Sequence, residues 1–372
     1  MALHHILAIN PGSTSTKVAI YVNTKVIFLK SIPHDYDELG KFRMVADQFE
    51  YRKDIILEEL KNAHIELDKI EAVVGRGGLV KPIKSGIYNI NEAMKKDLRS
   101  GTLGEHASNL GGLIADDIAK TLPNAKAFIA DPVVVDELED VARVSGHPKF
   151  KRMSIFHALN QKATARSYAR LLNKKYEDMN LIIAHLGGGI SVGAHKEGRV
   201  IDVNQALDGE GPFSPERTGT LPVGALARLC FEEGISYSQV KKMIKGKGGY
   251  VAFFDTNNAY QIELMADDGD KEASLIQDAM SYQVAKEIGA MATVLHGDVD
   301  GIILTGGIAN NPMVVEYVKK MVSFIAPVII YPGEDEMHAL AMNGLRVLKG
   351  ELIPKDYVKE NMVITSLPKH ED

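Results

Sequence analysis

The feature that most constrains this chain is a strand-and-turn pattern used twice. An apolar run, Ile6-Leu7-Ala8-Ile9, leads into Asn10-Pro11-Gly12-Ser13-Thr14-Ser15-Thr16-Lys17, and Val18-Ala19-Ile20-Tyr21-Val22 leads out. Short apolar runs flanking a Gly- and Ser-bearing stretch read as a β-hairpin. Its turn offers backbone N–H groups, hydroxyls and one Lys, a set suited to an anion such as phosphate. Taken alone, it could equally be an ordinary polar turn. Near mid-chain the device recurs: Leu181-Ile182-Ile183-Ala184 runs into His185-Leu186-Gly187-Gly188-Gly189 and leaves through Ile190-Ser191-Val192-Gly193-Ala194. A third strand follows each copy, Lys25–Leu29 and Arg199–Val203, and aligning Asn10 with His185 sets these within about one residue of register. Two β-β-β units of one design predict two duplicated domains, each presenting a phosphate loop to a shared cleft.

The length of 372 residues fits two domains at about 100–200 residues each. A formal net charge of -6 with no basic block argues against nucleic acid as the main partner. With one cysteine, Cys230, no intrachain disulfide can form, and the thiol is read as packing. No signal peptide and no run of about 18 apolar residues is visible. The expectation is a soluble cytoplasmic protein without membrane contact.

Several residues stand where chemistry is expected. Ile70-Glu71-Ala72-Val73-Val74 reads as a buried strand ending in Gly75-Arg76-Gly77-Gly78. Strand ends of this kind are where α/β proteins bind ligands. The glycines would let the Arg76 guanidinium approach an oxyanion, unless Arg76 is a surface loop residue. Gly104 to Asn109 is predicted to open a helix running on through Ile118, with His106 facing either a cleft or the core. Asp131 follows the strand Ala125–Ala130 and suits a metal-bound water or a substrate-orienting role; a turn-forming Asp is the alternative. His185, beside Gly187, Gly188 and Gly189, could donate to a phosphoryl oxygen. Asp208–Thr220 is the longest irregular segment, and long loops in compact domains tend to be functional. Its one cation, Arg217, is read as a second arginine on the transferring group, or else as the partner of Glu210 or Glu216.

Helices are expected over Asp47–Ile65, Glu92–Ser100, Leu159–Leu172, Leu221–Glu232, Ser236–Ile244, Lys271–His296 and Met337–Leu348. The long helix ending at His296 leads into Gly301–Leu304 and then Thr305-Gly306-Gly307-Ile308-Ala309-Asn310. That order of strand, Gly-Gly turn and helix start would let a base or ribose lie on bare backbone. Glu334, Asp335 and Glu336 precede the last helix. They either compensate its dipole or reach a magnesium ion through water.

Jointly, Asn10–Lys17, Ala184–Gly189 and Thr305–Ala309 resemble the acetate and propionate kinase (acetokinase) family, most closely its butyrate and branched-chain fatty acid kinase branch. The family lies within the actin, sugar-kinase and heat-shock ATPase superfamily. Where acetate kinases carry Leu-Gly-Asn-Gly this chain has Leu186-Gly187-Gly188-Gly189, and Arg76 is shifted relative to their Arg-Val-Val-His-Gly-Gly stretch. The resemblance implies an α/β fold of two ribonuclease H-like domains with a cleft between them: residues 1–155 plus 336–372, and residues 156–335. It implies reversible, ATP-dependent phosphorylation of a short-chain fatty acid, butanoate + ATP = butanoyl phosphate + ADP, with ATP/ADP and Mg2+. By it, Arg76, Asp131, His185 and Arg217 are catalytic. Asn10, Ser13, Ser15, Lys17, His106 and Gly187–Gly189 bind substrate or phosphate. Gly306, Gly307, Ile308 and Asn310 bind the nucleotide, and Asn10 with Asp335 or Glu336 serves the metal. A homodimer or larger assembly is expected. An acetate or propionate kinase, or a chaperone- or actin-like ATPase with no carboxylate acceptor, are the alternatives. The tail Leu367–Asp372 is expected to fray.

Overall fold

A computed structural model describes residues 2–101 and 104–357, so the tail Leu367–Asp372 lies outside the described residues. The chain forms two compact units: residues up to Asp136 joined by those from Asp335 on, and Glu137–Glu334. Residues 137–155 therefore belong with the second unit, and the last helix with the first.

In chain order the first unit contains β1 (His5–Pro11), β2 (Ser15–Val22), β3 (Lys25–Pro33), α1 (Tyr36–Gly40), α2 (Phe49–Asn62), β4 (Ile70–Arg76), β5 (Ile87–Asn89), α3 (Glu92–Ser100), α4 (Asn109–Thr121) and β6 (Lys126–Ala130). The second contains α5 (Ala158–Leu171), β7 (Asn180–Leu186), β8 (Ile190–Lys196), β9 (Arg199–Val203), α6 (Val223–Glu232), α7 (Tyr237–Ile244), α8 (Tyr250–Phe254), α9 (Ala259–Asp267), α10 (Lys271–Val294), β10 (Gly301–Gly306), α11 (Pro312–Val322) and β11 (Val328–Pro332). Helix α12 (Glu336–Leu348) returns to the first.

Sheet order is β3-β2-β1-β4-β6-β5 in one unit and β11-β10-β7-β8-β9 in the other. Read from the hairpin outward the two are the same: an antiparallel meander (β1-β2-β3, β7-β8-β9), then a parallel neighbour of the first strand (β4, β10), then another parallel strand (β6, β11). The duplication read from the sequence is thus a duplication of topology. Strand β5 is an addition to the first sheet.

Central strands are apolar on both faces because both faces are covered. In β1, Leu7 and Ile9 join the core beneath α2 and α4, while Ile6 faces Gly344 of α12. In the second unit, Ile182 and Ala184 pack with α10 and α11, whereas Leu181 and Ile183 pack with α5. Strand β3 is largely exposed, with lysines at its edge, an arrangement that discourages pairing with another chain. No helix among the described residues is long and apolar enough to cross a membrane.

Helix α4 starts at Asn109, not at Gly104. Local side-chain bonds take the backbone groups that a helix would need: Ser108 N–H donates to His106 Nδ1 (3.2 Å), and Asn109 Nδ2 donates to the Gly104 carbonyl (3.0 Å).

Candidate active site

In the first unit, three parallel strands end side by side. Register pairs Ile9 with Gly75 and Arg76 with Ala130, so Asn10, Arg76 and Asp131 mark the C-terminal ends of β1, β4 and β6. Open α/β sheets place ligands at this edge. Asn10 Nδ2 donates to Glu336 Oε2 at 2.6 Å; Arg76 Nη1 lies 3.1 Å from the same oxygen and 3.3 Å from Asn10 Oδ1. An amide, a guanidinium and a buried carboxylate thus form one cluster. Of the two acids expected near a metal, Glu336 occupies this cluster. Asp335 is exposed and caps α12, accepting from His338 N–H at 3.0 Å, so the carboxylate one residue later faces the strand ends. The Glu336 carboxylate and Asn10 amide oxygen are hard donors of the kind Mg2+ takes, in the small number it needs when phosphates and water complete its shell. They fit a magnesium site, although no group of three or more His, Cys, Asp or Glu among the described residues forms one unaided.

Lys17 is Asn10's cross-strand partner and is exposed on the same face, as directly opposed residues of an antiparallel pair are. Ser13 is exposed in the turn and Ser15 half-buried. Beneath the turn lies a residue absent from the sequence reading, Arg52. Its side chain is 1% exposed and donates to the Gly12 carbonyl (2.7 Å), the Ser13 carbonyl (3.2 Å) and Thr16 Oγ1 (3.2 Å), while Gln48 Oε1 takes two more of its protons. No carboxylate among the described residues pairs with it, and burial pushes its guanidinium down to about 10, with Tyr51 opposing. Arg52, Ile56 and Leu60 are the buried residues of α2. A charge on the buried stripe at i, i+4, i+8 was the available signal. His34 bonds Thr16 Oγ1 at 2.7 Å. Burial, then Arg52, hold its imidazole down at about 4, hence neutral.

The glycines around Arg76 also answer to packing. A Cβ on Gly75 would lie 2.1 Å from the Gly111 carbonyl oxygen, and one on Gly77 2.6 Å from Pro132 Cβ. They let the end of β4 touch the start of α4 and the turn after β6. His106 sits at that helix start. Because Ser108 N–H donates to Nδ1, the neutral ring carries its proton on Nε2. Asp131 is 1% exposed with φ +37°, and its Oδ1 accepts from Ser85 Oγ (2.6 Å) and Gly86 N–H (2.8 Å). A non-glycine residue in that region costs about 1–3 kcal/mol and is held by its surroundings. Here the surroundings are the 85–86 turn.

In the second unit, His185 is the penultimate residue of β7, beside the Gly187–Gly189 turn, which is closed by Gly187 N–H donating to the Gly189 carbonyl (3.1 Å). Arg217 lies directly against this turn. A Cβ on Gly189 would stand 1.8 Å from Arg217 Nη1 and 2.5 Å from its Cζ. The loop carrying Arg217 is tied down by Ser214 Oγ donating to the Gly188 carbonyl (2.7 Å) and by Arg217 Nη1 donating to the Ala206 carbonyl (2.6 Å). Glu216 is no tight partner, its oxygen being 3.9 Å from Nη2, and Glu210 instead lies 3.5 Å from Arg152. Burial lowers the Arg217 guanidinium against the pull of Glu216, and it lowers nearby Lys245 too, with Arg217 adding to the effect.

His185 is 3% exposed and stacks on His157, with centroids 3.7 Å apart and planes 11° apart. Its Nδ1 meets Asn160 Nδ2 at 2.9 Å, and its Nε2 lies 3.8 Å from Glu334 Oε2. His157 and Asn160 were also missed, since nothing at the start of α5 distinguishes them from ordinary helix-start polar residues. At the end of β10, Gly306 has φ +88°, and a Cβ there would lie 2.3 Å from the Leu186 carbonyl oxygen. A 3-10 turn, Gly307–Asn310, then precedes α11. Gly307 and Asn310 are exposed, but the Ile308 side chain is buried in the core, so only its backbone is available to a ligand.

The Acetokinase family model matches residues 150–329. Butyrate kinase 1 of Clostridium acetobutylicum is 56% identical over 355 residues, covering 95% of this chain and 100% of that protein. Butyrate kinase 2 of the same organism is 56% identical over 352 residues, covering 95% and 99%. Among solved structures, acetate kinase of Porphyromonas gingivalis has a TM-score of 0.75 at 20% identity, covering 93% of this chain and 100% of that one. A propionate kinase of Francisella tularensis subsp. tularensis SCHU S4 has 0.72 at 20% identity, covering 94% and 100%. These two establish the fold, and the sequence identity to the butyrate kinases over nearly the whole chain establishes the family: this chain belongs to the acetokinase family.

Proposed function

We propose that this chain is a butyrate kinase, transferring the γ-phosphoryl group of ATP to a carboxylate oxygen of butyrate and catalysing the reverse reaction. The observation that carries this is the 56% identity to two butyrate kinases over 95% of the chain. An oxygen of the acid forms a bond to the γ-phosphorus, the bond from phosphorus to the β,γ-bridging oxygen breaks, and ADP leaves with that electron pair. The acceptor is already an anion at neutral pH, so attack needs no strong base. It needs alignment and relief of repulsion between two anions.

In the first unit, Asn10, Ser13, Ser15 and Lys17 are assigned to phosphate, Arg76 to the transferring group, His106 through its Nε2–H to an oxyanion, and Asp131 to orientation at the strand end. In the second, the Gly187–Gly189 backbone, His185 and Arg217 are assigned to phosphoryl oxygens, and Gly306, Gly307, Asn310 and the Ile308 backbone to the nucleoside. Donors held in place in this way are each worth about 3–4 kcal/mol in a transition state. Glu336 and Asn10 would hold Mg2+, which supplies positive charge to the ATP phosphates.

We further infer self-association and a cytoplasmic setting, where ATP is at hand. Helix α6 has no buried residue, and Val223, Phe231 and neighbouring Tyr237 are 77%, 89% and 77% exposed. A helix that buries none of its residues and exposes large apolar side chains favours a contact surface. The catalytic reading is tested by trapping acyl phosphate with hydroxylamine, with and without butyrate. Butyrate-dependent hydroxamate with kcat/KM highest for four-carbon acids is expected. ATP hydrolysis without hydroxamate would refute the reading, and a preference for acetate would move the chain to the acetate kinases.

A further inference from the structure

We propose that Asn160 and Thr305 are positioning residues that lock His185 in the tautomer bearing its proton on Nε2, making it an obligate hydrogen-bond donor. The inference rests on the reading of His185 as a phosphoryl-site residue and says how that residue is made fit for it.

The relay starts at the Gly333 carbonyl. Thr305 Oγ1 donates to the Gly333 carbonyl at 3.1 Å. A carbonyl oxygen only accepts, so the single hydroxyl proton is committed. Thr305 Oγ1 therefore meets Asn160, 3.2 Å away, as an acceptor, and the Asn160 group facing it is the NH2. That same nitrogen lies 2.9 Å from His185 Nδ1. Its two protons serve one acceptor each, Thr305 Oγ1 and His185 Nδ1. An imidazole nitrogen that accepts carries no proton, so the ring proton sits on Nε2. Turning the Asn160 amide over would set its oxygen against the bare lone pairs of Thr305, so the hydroxyl fixes the amide and the amide fixes the ring.

The three side chains of this relay are buried: Thr305 is 0% exposed, Asn160 3% and His185 3%. The register makes it compact, since Thr305 of β10 is the direct neighbour of His185 in β7, and Gly333 bonds back to Gly306. The stacked His157 ring holds the imidazole plane. Nε2 is aimed toward the glycine turn, 3.0 Å from where a Gly187 Cβ would stand. A neutral His185 so held donates to a phosphoryl oxygen and cannot accept a proton at Nε2. Its role is electrostatic and not that of a general base.

The test is long-range 1H–15N NMR of histidine-labelled enzyme, with the His185 signal assigned by its loss in His185→Gln. Wild type is expected to show the Nε2–H tautomer alone; an Nδ1–H signal would overturn the proposal with no variant needed. Asn160→Ala and Thr305→Val are expected to give mixed tautomers and to lower kcat by about 10–100-fold, with KM for ATP changed less than about threefold. Thr305→Ser, which keeps the hydroxyl, should restore the single tautomer. Retention of pure Nε2–H in both Asn160→Ala and Thr305→Val, or a mixed tautomer with kcat unchanged, would refute the positioning role. The NMR result does not depend on which acid is phosphorylated, so a failure of the butyrate kinase reading is seen separately, in the wild-type hydroxamate assay.

Discussion

Gly189→Ala isolates the contact between the second glycine turn and Arg217. Gly189 is not among the residues with positive φ, so the backbone itself accepts alanine. The obstacle is the guanidinium. Ordinary contact begins at 3.4 Å and the added Cβ would stand 1.8 Å from Nη1, a shortfall of 1.6 Å. Arg217 must retreat by about that much, and its 2.6 Å bond to the Ala206 carbonyl must break. Misplacing a positioned group by about 1 Å can cost about 100-fold in rate, or about 2.7 kcal/mol. Overpacking should take a further ~1–3 kcal/mol from stability. The assay is kcat for butyryl phosphate formation, with a thermal melt alongside. Gly189→Ala should lose about 100-fold, and the double variant Gly189→Ala/Arg217→Ala should match Arg217→Ala alone within about twofold, because removing the guanidinium removes the clash. A single variant within threefold of wild type, or losses that multiply in the double variant, would refute the argument.

The two acids at the start of α12 should separate cleanly: Glu336→Gln should lower kcat more than about 100-fold and raise the Mg2+ requirement, whereas Asp335→Ala should cost about 0.5–2 kcal/mol of stability as a lost cap with kcat changed less than threefold. Arg52→Gln should lower the melting temperature and raise KM for ATP about tenfold or more, since a buried charge-assisted bond is worth about 1.5–3 kcal/mol; an unchanged KM would make Arg52 purely structural. His34, held at about 4, and His195, pushed well below its ordinary value by burial and then by Lys162 and Arg166, stay neutral in the folded chain. Because the unfolded chain takes up those protons first, stability should be full above pH 6.5 and fall as pH drops toward 4. Urea midpoints across that range, with a shallower dependence in His34→Gln, check this.

What could be read from the residues was whatever repeats or is periodic. The two β-β-β units were legible because buried strands write themselves as apolar runs and the chain does so twice. The strand-end positions of Arg76, Asp131 and His185 were legible because each stands where such a run closes. Other residues were hidden for physical reasons. Arg52 sits on a buried stripe, where attention falls on apolar side chains. Asn160 reaches Thr305 across 145 residues, a pairing no local pattern encodes. Which of Asp335 and Glu336 faces the strand ends turns on where the first helical turn begins, which capping decides. The glycines beside Arg76 answer to Gly111 and Pro132, neighbours supplied only by the fold.

The central claim is attack by the acid's own oxygen on phosphorus. It is met most directly by supplying butyrate labelled with 18O in both carboxylate positions, together with ATP and Mg2+, and reading the 31P isotope shift of the acyl phosphate formed. The account expects one 18O bonded to phosphorus in every product molecule. Product phosphorus carrying no 18O, or ADP released without any acyl phosphate, would contradict it.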